Sequence, residues 1–270
     1  MKNIFVFIFI LFIYCNISFA QDKPAESISE ISKKAQNPLN PMITVPIVDY
    51  CYFDYGPDKK IMNSIQVKPV FPFELGKKIT LIVRAIVPLN IIPAPLNKAG
   101  LGDAQLQLFL SPSQSKVTWG VGPVIGFPTG TPEELGSGKW SAGPIGVILF
   151  SVKKSVFGLL ATNRWSFAGD GSKGDVNQMM LNPFFNYNFP KGWAITTAPE
   201  IYANWGQSSS EMWTLPMGAG VIKTFRIGKN VMTANIQYYY HLIKPQYAGS
   251  SYLKAGISFL FPKQPKATTK

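Results

Sequence analysis

Polar side chains recur at alternate positions along several apolar stretches of this chain. Arg84 lies in KITLIVRAIV, Asp103, Gln105 and Gln107 in LGDAQLQLF, and Gln178, Asn182 and Asn186 in DVNQMMLNPFFNYNF. Glu200, Tyr202 and Asn204 lie in APEIYANW, and Asn235, Gln237, Tyr239 and His241 in ANIQYYYHL. Arg164 in NRWSF and Lys254 in LKAG occupy the same kind of position. Amide, carboxylate, phenol and guanidinium groups sharing one face can hydrate and sort small molecules, since rings of charged side chains set selectivity in pores. They can equally pair with one another and with water in a filled interior. Arg84, Arg164 and Lys254 outnumber Asp103 and Glu200, so a path lined by this set is expected to prefer anions weakly.

Other chemistries fit the sequence less well. No Gly-rich run leads into Lys-Ser or Lys-Thr, and Gly120, Gly122, Gly126 and Gly130 read as close-packing positions rather than a phosphate loop. His241 is the sole histidine, and Cys51 is the sole cysteine after Cys15, so neither a metal site nor any other cofactor is expected. Cys51 reads as buried and inert. A Ser-His-Asn triad acting on lipid would need its histidine turned outward with a serine two residues on. His241 has the parity of Gln237, and Ile243 stands where that serine would be, so catalysis is not expected.

The elements that must position these groups are strands. Side chains alternate faces with period two. In 78–89, Ile79, Leu81, Val83, Ala85 and Val87 oppose Thr80, Ile82, Arg84 and Ile86; in 251–261, Leu253, Ala255, Ile257 and Phe259 oppose Tyr252, Lys254, Gly256 and Ser258. Twelve such strands are predicted, near 42–53, 62–73, 78–89, 101–111, 116–127, 140–151, 155–168, 176–189, 193–204, 212–225, 231–243 and 251–261. Short connections alternate with longer ones, including PTGTPEELGSGK over 128–139, read as a solvated outer loop rather than as a constriction folded into the barrel. An even strand count with alternating loop lengths is the pattern of an all-β transmembrane antiparallel barrel with short periplasmic turns. Pro123, Pro144, Pro183, Pro199 and Pro216 conflict with unbroken strands, because proline cannot donate to a ladder, and are expected at bulges.

The ends and the composition agree with that class. Residues 1–20 read as a secretory signal peptide, with small-x-small at Ser18-Phe19-Ala20 and cleavage after Ala20. Residues 21–41 read as a polar periplasmic lead-in in which AESISEISKKAQ can form a short helix, with a plug folded back into the barrel as the alternative that no residue supports directly; 42–261 form the barrel and 262–270 a polar tail. No later segment has 18 uninterrupted apolar residues, yet 46% of the chain is hydrophobic and only 15% charged. The net charge is +12, and many lysines fall at predicted turns, Lys77, Lys78, Lys116, Lys153, Lys154, Lys191 and Lys229, where they read as solvated residues. Together with the signal peptide, this speaks for anionic head groups and against nucleic acid.

LGDAQLQLFLSP (101–112), WGVGPVIGFPTGT (119–131), LGSGKWSAGP (135–144), NRWSFAGD (163–170), DVNQMMLNPFFNYNFPKGW (175–193) and the closing FLFPK (259–263) occur in order across residues 40–263. In these segments the chain resembles the proteobacterial outer-membrane transporter proteins grouped with the phenol-degradation meta-pathway, often mislabelled neuromedin U. The resemblance implies a Gram-negative outer-membrane barrel through which small molecules, hydrophobic or aromatic compounds among them, pass without catalysis. The partners expected are outer-membrane lipid, the barrel-assembly machinery and a small solute. A non-conducting barrel with a structural or ligand-displaying role is the alternative.

Overall fold

A computed structural model describes residues 27–113 and 117–261. The signal peptide and the tail read from the sequence lie outside these residues. The chain begins with α1 (Ile28–Ala35) and then enters the strands β1 (Ile43–Tyr55), β2 (Lys60–Val67), β3 (Val70–Leu75), β4 (Ile79–Ile92), β5 (Lys98–Leu101), β6 (Ala104–Pro112), β7 (Thr118–Phe127), β8 (Lys139–Val152), β9 (Ser155–Gly169), β10 (Asn177–Asn188), β11 (Trp193–Thr197) and β12 (Ile201–Asn204). After the one-turn α2 (Ser209–Met212) follow β13 (Trp213–Ile227), β14 (Asn230–Ile243) and β15 (Ser251–Phe261). All pairings are antiparallel between neighbouring strands of the sheet, and β15 closes on β1 from Ile43↔Phe261 to Phe53↔Ser251. The pairs β2–β3 and β11–β12 each run as one interrupted strand between the same two neighbours, and β5–β6 as one interrupted strand along β4. The result is a closed barrel of twelve strands.

Proline explains the interruptions. Pro46 of β1 faces the break at Lys68-Pro69, and its carbonyl accepts the Lys68 N–H at 2.9 Å. Pro88 of β4 likewise faces the break at Gly102-Asp103 and accepts the Gly102 N–H at 2.9 Å. Between β10 and β11–β12 the ladder skips from Leu181↔Ile201 to Phe185↔Thr197, with Pro183 opposite Pro199 in the gap. Pro216 sits at a register shift, Pro123 at a skip in the β6–β7 ladder, and Pro144 at a skip in the β8–β9 ladder. A residue without an N–H leaves its neighbour's carbonyl unpaired, so the ladder parts there. The five prolines flagged in the sequence thus all stand at irregularities, and three of the barrel's charged residues, Lys68, Asp103 and Glu200, lie in the breaks.

The outward face is apolar. Val121 is 52% exposed, Ile236 50% and Leu110 47%, a continuous surface that water does not tolerate and lipid does. Aromatic side chains border it, with Trp193, Phe189 and Tyr187 near the short turns and Trp140, Trp165 and Trp205 near the long loops. The interior has two walls. On one, Leu39, Ile82, Phe109, Val124, Ile145, Val147 and Leu160 form a buried cluster, joined by Val70, Met180 and Phe184. On the other, Tyr50, Tyr239 and Tyr252 pack with Val48. The interior is therefore less polar than the alternation suggests, because the inward positions of β4 and β6–β9 carry large aliphatic and aromatic groups.

One outward site breaks the rule. Asp49, at the middle of β1, turns outward beside Asn63, whose amide donates to both carboxylate oxygens at 2.9 and 3.2 Å. Cys51, read as buried, stands partly exposed on the same face. Among the described residues Asp49 is the one carboxylate that a strand turns toward lipid. Replacing Asp49 and Asn63 together by Val is expected to stabilise the barrel by about 1–2 kcal/mol, the order of cost of a lipid-facing carboxylate. Urea unfolding in lipid vesicles measures this, and a loss of stability would show that the pair engages something other than lipid.

A charged belt between two interior cavities

The polar groups inside the barrel meet at one level. The Glu200 carboxylate, in the β11–β12 break, accepts from the Tyr50 hydroxyl at 2.7 Å and the Tyr202 hydroxyl at 2.8 Å. Lys254 Nζ of β15 approaches it at 3.4 Å. Lys68, in the β2–β3 break, donates to the Tyr50 hydroxyl at 2.8 Å. Both lysines also lie over the Tyr50 ring, at 4.8 and 5.2 Å from its centroid. Tyr50 thus receives a proton from one side of the belt and gives its own to the other, and Arg84 of β4 stands in cross-strand register with Val70 and Gln107 at this belt. Three cationic side chains, Lys68, Arg84 and Lys254, thus stand around one carboxylate, and of the three Lys254 is the one that contacts it.

β14 supports the belt with a ladder of amides. Tyr239 donates to Gln237 Oε1 at 2.8 Å and accepts the Ala198 N–H at 2.7 Å, which satisfies a backbone group freed by the β11–β12 break. Gln237 in turn donates to Asn235 at 3.1 Å. Asn182 donates to the Pro199 carbonyl at 2.9 Å across the same gap.

The belt separates two cavities. The one toward the long loops, about 300 Å³, is lined by Tyr52, Tyr55, Met62, Tyr202, His241 and Tyr252 together with Gln178 and Glu200. Its rings are in contact: Tyr239 stacks on Tyr252 at 4.9 Å, and Tyr52 lies 5.3 Å from Tyr252. His241 Nδ1 is 2.6 Å from the Gly249 carbonyl oxygen, which fixes that nitrogen as the protonated one. The other cavity, about 280 Å³, is lined by Lys68, Arg84, Lys254, Asn182, Asn186 and Asn235, with Leu160 and Phe184 on its apolar side.

The sequence-derived set divides accordingly. Arg84, Glu200, Tyr202, Gln237, Tyr239 and Lys254 gather at the belt, with Asn182, Asn186 and Asn235 on one side of it and Gln178 and His241 on the other. Asp103 does not join them. It holds the 128–139 loop instead, accepting from the Ser137 N–H at 2.7 Å, the Ser137 hydroxyl at 2.6 Å and the Gly130 N–H at 3.2 Å. That loop, read as solvated, folds back as a 3-10 turn with Leu135 buried. Arg164 binds Gln178 at 2.8 Å and Ser141 at 3.3 Å, and it fits because Gly126 has no side chain: a Cβ there would lie 2.7 Å from the guanidinium. Gln105 pairs with Ile86 and Gly126 in the ladders, and Asn204 accepts the Gly206 N–H at the rim. Gln107 is buried, and its Oε1 has no partner among the described residues. Tyr50 and Lys68 were missing from the sequence-derived set, although both share the inward parity of their strands.

The polar lead-in is part of the site. Ser27 caps α1, exchanging hydrogen bonds with Glu30 at 3.2 Å in each direction. The helix lies in the short-turn mouth of the barrel, packing Ile28 and Ile31 with Met42, Val231 and Leu260. Ile28 lies over Gly192, where a Cβ would sit 2.6 Å from the isoleucine methyl. Gln36 and Asn188 exchange amide hydrogen bonds at 2.8 and 3.0 Å, and Lys33 donates to the Lys153 carbonyl at 2.8 Å. Leu39 follows into the interior cluster and packs over Gly120. The segment read as a lead-in therefore forms the floor of the second cavity.

No family model matches the chain, and no curated protein does. Solved structures do. The COG4313 outer membrane channel from Pseudomonas putida F1 is similar at TM-score 0.61 and 13% identity, over 82% of this chain and 96% of that one. The NanC porin is similar at TM-score 0.51 and 12% identity, over 82% of this chain and 100% of that one. Outer membrane phospholipase A from Escherichia coli is also similar, at TM-score 0.43 and 12% identity over 88% and 99%. The expectation of no catalysis, drawn from His241 and Ile243, is therefore not upheld: an enzyme barrel stands among the structural neighbours. At these identities the likeness is one of fold, and the fold is that of the outer-membrane channel barrels.

Proposed function

We propose that this chain is an outer-membrane channel for small molecules, with α1 as its periplasmic stop. The carrying observation is the series of spaces inside the barrel: an aromatic cavity, a charged belt and an amide-lined cavity lie in line and end at the helix. The ring-lined outer cavity suits hydrophobic or aromatic solutes, in keeping with the sequence resemblance to the phenol meta-pathway transporter proteins and with the COG4313 channel as a structural neighbour. The excess of Lys68, Arg84 and Lys254 over Glu200 supports weak anion preference. Cleavage after Ala20, insertion by the barrel-assembly machinery and contact of the turn lysines with anionic head groups complete the reading.

The test is a planar bilayer recording on the refolded mature chain. Small discrete steps are expected, with a reversal potential that favours chloride over potassium. Equal permeabilities would remove the anion preference. A folded, inserted but silent protein would overturn the channel reading in favour of a barrel that displays or stores a ligand, a role that the filled apolar wall and the seated helix would serve.

A further inference from the structure

The inner cavity contains polar groups that the barrel itself leaves unanswered. The Arg84 guanidinium makes no hydrogen bond or ion pair with any described residue, although it lines the cavity. Ser32, on the cavity side of α1, is 1% exposed, and its hydroxyl has no partner among the described residues. Lys68 and Lys254 bring two more positive charges to the same cavity. The one nearby carboxylate, Glu200, is taken up by Tyr50, Tyr202 and Lys254 and faces the outer cavity. Cationic groups in such a setting call for an anion. A free guanidinium fork matches a planar carboxylate in two parallel hydrogen bonds. The rest of the cavity selects further, because Leu160, Phe184 and Val70 offer an apolar wall beside the charge.

We propose that the inner cavity is a binding site for a small carboxylate with an apolar body. Arg84 takes the carboxylate, Ser32 adds a hydroxyl from the helix, and the Phe184–Leu160 wall receives the hydrocarbon. The proposal deepens the channel reading by naming the class of molecule the path holds, and it rests on that reading only for the route of access.

Calorimetric titration of the full mature chain in detergent micelles tests it, with benzoate as the probe and benzamide as its neutral isostere. Benzoate is expected to bind on the order of tenfold or more tighter than benzamide, the worth of a charge-assisted hydrogen-bond pair. Arg84→Gln is expected to remove that preference and Arg84→Lys to keep part of it; Ser32→Ala, on the helix rather than the barrel, is expected to weaken benzoate several-fold. Heat-modifiable gel migration confirms that each variant is folded. Equal binding of the two probes, no binding of benzoate, or benzoate affinity unchanged in Arg84→Gln would each overturn the site. Because no flux is measured, a bilayer that stays silent while benzoate binds would reject the channel and keep the site.

Discussion

Deleting residues 27–41 from the mature chain is expected to raise single-channel conductance several-fold. The helix α1 forms the floor of the inner cavity, beside Thr44, Thr196, Thr233 and Ser258 of the barrel wall. Twelve strands enclose a lumen between the packed interior of eight-stranded barrels and the open channel of sixteen-stranded ones, so a seated helix decides whether the lumen conducts. The segment is held by side-chain contacts with the inner wall of the barrel. An eight-residue helix is marginal alone in water, and what fixes it here is burial of Ile31, Leu39 and Met42, each worth about 1.5–3 kcal/mol, plus the Gln36–Asn188 amide pair. None of these contacts belongs to a strand ladder, so the truncated barrel should still insert and still show heat-modifiable migration. Conductance unchanged by the deletion would mean that the stop lies at the charged belt instead.

A milder variant separates occlusion from loss of the segment. Asn188→Ala removes the Gln36 partner and leaves every residue of the helix in place. It should produce flickering between the small and the large conductance level, since the floor then loses its amide tether and keeps its apolar seat and the Lys33–Lys153 hydrogen bond.

The barrel itself was legible because alternation is a local property: Ile79 to Val87 and Leu253 to Phe259 declare an outward face without reference to any other strand. The prolines were legible as a conflict, and the conflict was informative, since each marks a place where a ladder parts. What could not be read was the consequence across strands. Lys68 was passed over because 62–73 was drawn as one strand, and only Pro46 on the neighbouring strand shows why the chain breaks there and aims a lysine inward. Asp103 was placed among the lumen charges by parity, yet its partners, Gly130 and Ser137, lie on a loop whose path alternation does not describe. The docking of α1 depends on Asn188, Lys153 and Gly192, more than a hundred residues away, so the helix was readable and its seat was not. The inward apolar wall was hidden for a different reason: Phe109 and Phe184 share their faces with amides, and Ile82 shares its face with Thr80 and Arg84, so those faces read as polar.

The single carboxylate of the belt has the largest expected effect of any side chain. Glu200→Leu should destabilise the barrel by about 3 kcal/mol, the lower end of what it costs to strip one partner from a buried charge pair. The substitution leaves Lys68, Arg84 and Lys254 mutually repelling and takes the acceptor from both Tyr50 and Tyr202. Lys254→Met added to it should recover a large part of the loss, because Lys254 is the cation that Glu200 contacts and its side chain is only 13% exposed. Strong coupling between the two sites in a double-mutant cycle, read from urea unfolding in vesicles, is therefore the expected result. Selectivity should move with stability: with Glu200 gone the belt is wholly cationic, and the reversal potential should shift further toward chloride. If Glu200→Leu leaves stability unaltered and the two substitutions simply add, the belt is a hydrated set of independent charges, and the interior of this barrel is held by its apolar wall alone.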